Sequence, residues 1–125
     1  MSYPIDADKK FQKELNSGTA ALVLLCVLAK ADEPLYGYRI AKLIETGRAN
    51  VPMMKQGALY PVLRSLEGSG LLESRVDPSV SGPPRRYYAI TKSGRETLKN
   101  WKKLWDRTKF FVDDILKEYS HDQKR

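Results

Sequence analysis

Between Asp8 and Lys30 the chain carries no proline, and from Thr19 to Ala29 it is apolar on every side, which predicts a helix covered from two directions. Asp32-Glu33-Pro34 ends it, since the residue before a proline is pushed out of the helical region. From Tyr38 to Glu45 the residues Ile40, Ala41 and Ile44 share one stripe and Thr46-Gly47 supplies a stop, so a short second helix follows. The third pattern is QGALYPVLRSLEGSGLL, Gln56 to Leu72, where Leu59, Val62, Leu63 and Leu66 recur at helical spacing and Gly68 to Gly70 close the run. Pro61 has no N–H to donate and would clash with the carbonyl one turn back, so this helix should begin near Gln56 and leave Pro61 close to its first turn.

After Gly70 the period becomes two: Leu72, Ser74 and Val76 alternate with Glu73 and Arg75, and Arg86-Tyr87-Tyr88-Ala89-Ile90 alternates again. The intervening DPSVSGPPR is rich in turn formers and too long for a tight hairpin. A two-stranded ribbon with a mobile, basic tip at Arg85 and Arg86 is expected. From Lys92 to Tyr119 a heptad stripe runs through Leu98, Trp101, Trp105, Thr108, Val112, Ile115 and Tyr119. Leu104, Phe111 and Leu116 widen it, and a helix of that length extends about 40 Å, past the small domain it leaves. A second copy of the chain is expected to cover it, with Leu22 and Leu25 of the apolar first helix joining Leu98, Trp105, Val112, Ile115 and Tyr119 in a two-fold interface.

Three short helices and then a ribbon is the order of a winged helix-turn-helix, whose second turn-motif helix enters the major groove of DNA. The fold is therefore expected to be mainly α, with this domain and its two-stranded wing over residues 8–91 and a dimerisation helix with a short charged tail over 92–125. On the third helix the face opposite the apolar stripe holds Gly57, Pro61 and Arg64, flanked by Ala58, Tyr60 and Ser65, with Lys55 and Gln56 at the amino end. No acid lies in that set. Small and planar residues allow close approach to a groove about 12 Å wide, and Lys55, Tyr60 and Arg64 can meet phosphates or base edges. Arg85 and Arg86 would reach the neighbouring backbone or minor groove.

Composition supports this picture. In 125 residues, 42% hydrophobic and 30% charged, there is room for one soluble domain with a modest core, and 22 Lys and Arg against 15 Asp and Glu give a formal charge of +7. A double-stranded DNA operator is the expected partner, although an anionic membrane surface would answer the same charge. The run TAALVLLCVLA followed by Lys30-Ala31 mimics a secretion signal, but acids precede it and its length of about eleven residues falls short of the roughly 20 that span a bilayer. The single Cys26 makes no intramolecular disulfide, so a cytoplasmic setting is expected, and inside an apolar helix it reads as a small core residue.

YGYRIAKLIE, GALYPVLRSLEGSGLL and RRYYAITKSGRETL resemble the PadR family of winged-helix transcriptional regulators, a likeness that covers roughly Ala20 to Trp105. The resemblance implies a homodimeric DNA-binding repressor of the kind with a single long C-terminal helix, and a dimer that holds two recognition helices about one helical turn apart is expected on an inverted-repeat operator. It also implies that some such proteins leave DNA on binding small hydrophobic or phenolic compounds. In multidrug-sensing members a tryptophan of the dimer helix lines a pocket between subunits, and Trp105 stands at the matching distance from Thr91-x-x-Gly94.

Each of these residues has a plainer use. Trp101 and Trp105 suit a dimer core as well as an aromatic ligand platform. Tyr87 and Tyr88 point to opposite sides of a strand, one toward the core and one toward the surface. His121 sits in a charged tail, and Asp113 and Asp114 are about 100° apart on their helix and make no catalytic pair. With no nucleophile and base pairing, metal-ligand spacing or phosphate loop, no enzyme activity, metal or cofactor is expected. The remaining rival is a winged-helix module that binds nucleic acid or protein without sequence choice and without an effector.

Overall fold

The computed structural model describes residues 5–47, 56–78 and 81–123. Its elements are α1 (Ile5–Lys30), β1 (Leu35–Tyr36), α2 (Gly37–Gly47), α3 (Gln56–Gly68), β2 (Leu72–Asp77), β3 (Arg85–Ile90) and α4 (Lys92–Gln123). Leu24, Leu25 and Leu28 of α1, Ile40 of α2, and Leu59, Leu63 and Leu66 of α3 meet in one core, closed by Leu72 and Tyr88 of the sheet. Those of α2 and α3 lie on the inward stripes that the helical spacing marks, and the core lies among α1, α2, α3 and the sheet.

The sheet is antiparallel and ordered β1-β3-β2: the expected two-stranded ribbon is present as β2 and β3, and the two-residue β1 joins it as an unexpected third strand. Leu35 and Tyr36 pair with Tyr88 and Tyr87, while β2 and β3 pair from Leu72 opposite Ile90 to Asp77 opposite Arg85. A strand of two residues shows no alternation, and this one directly follows a proline, which hid it.

Two joints fix the wing and the long helix to this core. At the end of α3, Leu71 N donates to Leu66 O and Gly70 N to Glu67 O, both at 2.9 Å, with Gly70 at a φ of 79°. That is a Schellman closure, whose left-handed residue favours glycine. At the start of α4, Thr91 Oγ1 accepts from Gly94 N at 2.9 Å and donates to Gly70 O at 2.7 Å, so one side chain caps the helix and ties it to the turn. Gly94 is buried where any Cβ would collide with the Leu71 carbonyl and Ile90, which explains a glycine in the first turn of a helix.

α4 begins against the core through Leu98 and Trp101 and packs along α1, then continues with every residue from Lys102 to Gln123 exposed. Two expectations for α1 need correction. Leu25 is 0% exposed, so it belongs to the protomer's own core and offers no surface to a second chain. Cys26 is exposed, because it follows Leu22 by one helical turn on the side away from the core.

Candidate nucleic-acid interface

The burial of Leu59, Leu63 and Leu66 sets the rotation of α3 and turns Gly57, Ala58, Pro61, Arg64 and Ser65 to solvent. The exposed face carries one charge, that of Arg64, which makes no salt bridge among the described residues. Lys55 lies outside the described residues, and of Gln56 only the backbone that opens α3 is described. Tyr60 is half-buried: its ring lies against Gly37, and a Cβ on Gly37 would overlap it. Tyr60 therefore leans from α3 toward the start of α2 and flanks the exposed face.

Arg85 and Arg86 open β3 and pair with Asp77 and Val76 at the loop end of the ladder, so the basic positions are held in the strand and the expected mobile tip is corrected. Arg86 Nη1 donates to Ser74 Oγ at 2.9 Å, and Ser74 Oγ donates to Glu67 Oε2 at 2.6 Å. This relay ties the wing to the last turn of α3. Beneath it Tyr88 is 2% exposed. Burial raises its phenol above the ordinary value and the Glu67 carboxylate adds to that, against the lowering effect of Arg86 and Arg64. Arg85 takes the other side of the strand, with its guanidinium 4.4 Å from the centre of the Tyr36 ring. Tyr36 also meets Tyr87 edge-on at 5.5 Å and Tyr38 at 6.4 Å, and Lys42 Nζ stands 5.6 Å from the Tyr38 ring.

Sequence reasoning missed Glu67, Ser74, Tyr36 and Tyr38. The aromatic pair in YGY was a signal that could have been read, whereas Glu67 and Ser74 meet only because of the path taken by the turn between α3 and β2.

A second surface lies on the helices. On α4, Leu104, Trp105, Phe111, Val112, Ile115, Leu116 and Tyr119 form an exposed apolar stripe, and α1 adds Phe11, Leu15 and the partly exposed Leu22. Of the two tryptophans, Trp101 packs on its own domain and Trp105 stands 39% exposed in the stripe. Among the described residues no cluster of His, Cys, Asp and Glu could hold a metal, and no helix is long and apolar enough to cross a membrane.

A helix pair α2–α3, the second with an acid-free outer face, buttressed by α1 and followed by a β ribbon, defines a winged helix-turn-helix of the DNA-binding kind. The chain belongs to the PadR-like transcriptional regulator family, whose model matches residues 24–100. It is similar to a PadR family transcriptional regulator from Eggerthella lenta, with 34% identity, 89% of this chain and 93% of that one covered, and a TM-score of 0.70. A transcriptional regulator from Clostridium thermocellum gives 26% identity over 81% of this chain and 93% of that one, also with a TM-score of 0.70. An uncharacterized protein X from Lysinibacillus sphaericus is 30% identical over 91 residues, which are 73% of this chain and 82% of that one. Members of the family are transcriptional regulators and not enzymes, and the chain is a DNA-binding regulator.

Proposed function

We propose that the protein acts in the cytoplasm as a homodimeric repressor, holding two α3 helices in successive major grooves of an inverted-repeat operator, and that a small hydrophobic or aromatic compound between the subunits releases it. Residues 8–91 read DNA in this account, and residues 92–125 pair the subunits and house the effector. The observation that carries the reading is the combination, in one protomer, of an acid-free recognition face on α3 and a long apolar stripe on α4 that its own domain leaves uncovered. A two-fold pairing of that stripe brings two copies of Trp105 into one seam, where planar compounds can stack.

Linkage sets a condition on the effector. A compound weakens operator binding only by as much as it prefers a dimer whose recognition helices are wrongly spaced, typically about 1–3 kcal/mol. Titration of a hydrophobic dye and a panel of aromatic drugs against wild type and Trp105→Ala, read by intrinsic fluorescence and by operator gel shift, tests this. Compounds should bind wild type, shift the gel, and lose both effects in the variant. Equal binding by Trp105→Ala, or a panel without any gel shift, would assign Trp105 to the dimer core and remove the effector.

A further inference from the structure

The two arginines of the wing are not equivalent. Arg86, though exposed, donates to Ser74, through which its charge is answered by the Glu67 carboxylate. Arg85 forms no salt bridge among the described residues; Asp77, its partner in the ladder, is paired with Arg75 at 3.5 Å. What holds Arg85 is the face of Tyr36, a contact that fixes the guanidinium plane while leaving its N–H groups at the edge free to donate.

That edge opens on a cleft of about 500 Å³ lined by Tyr36, Tyr38, Tyr60, Pro84, Arg85 and Arg86, with Gly37 between the first two tyrosines. Four elements meet there: β1, α2, α3 and β3. The lining residues include three tyrosines and two arginines and no acid. A cleft of this composition suits an anion that accepts several hydrogen bonds, and a charge-assisted bond from arginine to a phosphate oxygen is among the strongest available. Tyr60 makes the cleft continuous with the outer face of α3, so a strand whose bases meet Gly57, Pro61 and Arg64 carries its backbone past this opening.

We propose that the cleft seats one backbone phosphate of the bound duplex, with Arg85 as the charged donor, the phenols of Tyr38 and Tyr60 as flanking donors, and Tyr36 as the residue that aims Arg85. The proposal rests on the DNA-binding reading and adds Tyr36 and Tyr38, from outside the wing, to it. Gly37 is a requirement of the seat, because a methyl group there displaces the Tyr60 ring.

The test uses the full chain and fluorescence anisotropy at several salt concentrations. On a mixed-sequence duplex, Arg85→Ala should make the slope of log affinity against log salt shallower by about one unit, the contribution of one phosphate. Arg86→Ala should change it less, and Arg85→Lys should restore it while leaving affinity several-fold below wild type, since a lysine does not stack in the same plane. On a duplex recovered by in vitro selection, a neutral methylphosphonate placed at successive positions should weaken wild type at one position per half-site to which Arg85→Ala is indifferent. Gly37→Ala should show the same indifference with all charges kept. If wild type binds duplex and Arg85→Ala keeps both its slope and its set of sensitive phosphates, the seat is refuted while the DNA reading stands. If wild type shows no salt-dependent duplex binding, the DNA reading fails and takes the seat with it.

Discussion

Replacing Val112 and Ile115 by aspartate tests the pairing of subunits, and the structure sets the size of the effect. The two side chains are 45% and 48% exposed in the protomer. Complete burial of an aliphatic side chain is worth about 1.5–3 kcal/mol, so covering the exposed half of each is worth about 1 kcal/mol. A two-fold seam uses each position twice, and the double variant therefore forfeits about 4 kcal/mol of apolar burial. Four carboxylates in the same seam would add several kcal/mol each if they stayed there. Since a dimer with micromolar affinity is held by about 8 kcal/mol, the variant should be monomeric at micromolar concentration. Neither residue belongs to the core of the protomer, so the winged domain should keep its helical circular dichroism. Sedimentation of wild type and variant measures the outcome, and affinity for an inverted repeat should fall with association, because two α3 helices must be held about 34 Å apart. A variant that still sediments at twice the protomer mass would remove this stripe from the interface.

Three further substitutions separate reading, folding and titration. Arg64→Ala should lower affinity for the selected operator by about 1–3 kcal/mol and affect random duplex less; equal loss on both would make Arg64 a phosphate contact. Gly94→Ala forces a methyl group against the Leu71 carbonyl and should lower stability by about 1–3 kcal/mol in urea denaturation, with an unchanged midpoint counting against the close approach described. Burial holds the Tyr88 phenol above its ordinary value of 10.0, so the folded chain keeps a proton that the unfolded chain releases, and stability is complete below about pH 10 and falls as pH rises beyond it. Tyr88→Phe should flatten that alkaline decline, and an equal decline in the variant would place its cause elsewhere.

The helices were legible because their faces are decided locally. Leu59, Leu63 and Leu66 fall on one side of a 3.6-residue period whatever the rest of the chain does, and the outward face of α3 follows from them. The long helix was legible for the same reason, and its bounds of Lys92–Gln123 lie close to the pattern that marks it. Burial between neighbouring positions was harder to read. Leu25 and Cys26 are adjacent in an all-apolar run, and only the packing of α1 on α3 and the sheet decides that the first is core and the second exposed. The wing arginines were visible as charges, but the partners that separate them were not. Ser74 and Glu67 are brought together by the Gly70 turn, and Tyr36 reaches Arg85 through a strand too short to leave a periodic trace. Gly94 shows how a family motif acquires a cause: Thr91 caps α4 and the glycine lets the helix sit on the Leu71 carbonyl.

Repression by this protein requires sequence-specific binding to DNA, and one measurement reaches that property. Full-length protein is used to select duplexes from a random library, and the affinity for the recovered sequence is compared with that for a scrambled duplex of the same length at physiological salt. The selected pool should contain an inverted repeat with half-sites about one helical turn apart, preferred over the scrambled duplex by about 10³ or more. A pool without a common sequence, bound no better than scrambled DNA at any salt concentration, would contradict sequence-specific binding and leave a winged-helix module that binds without choosing.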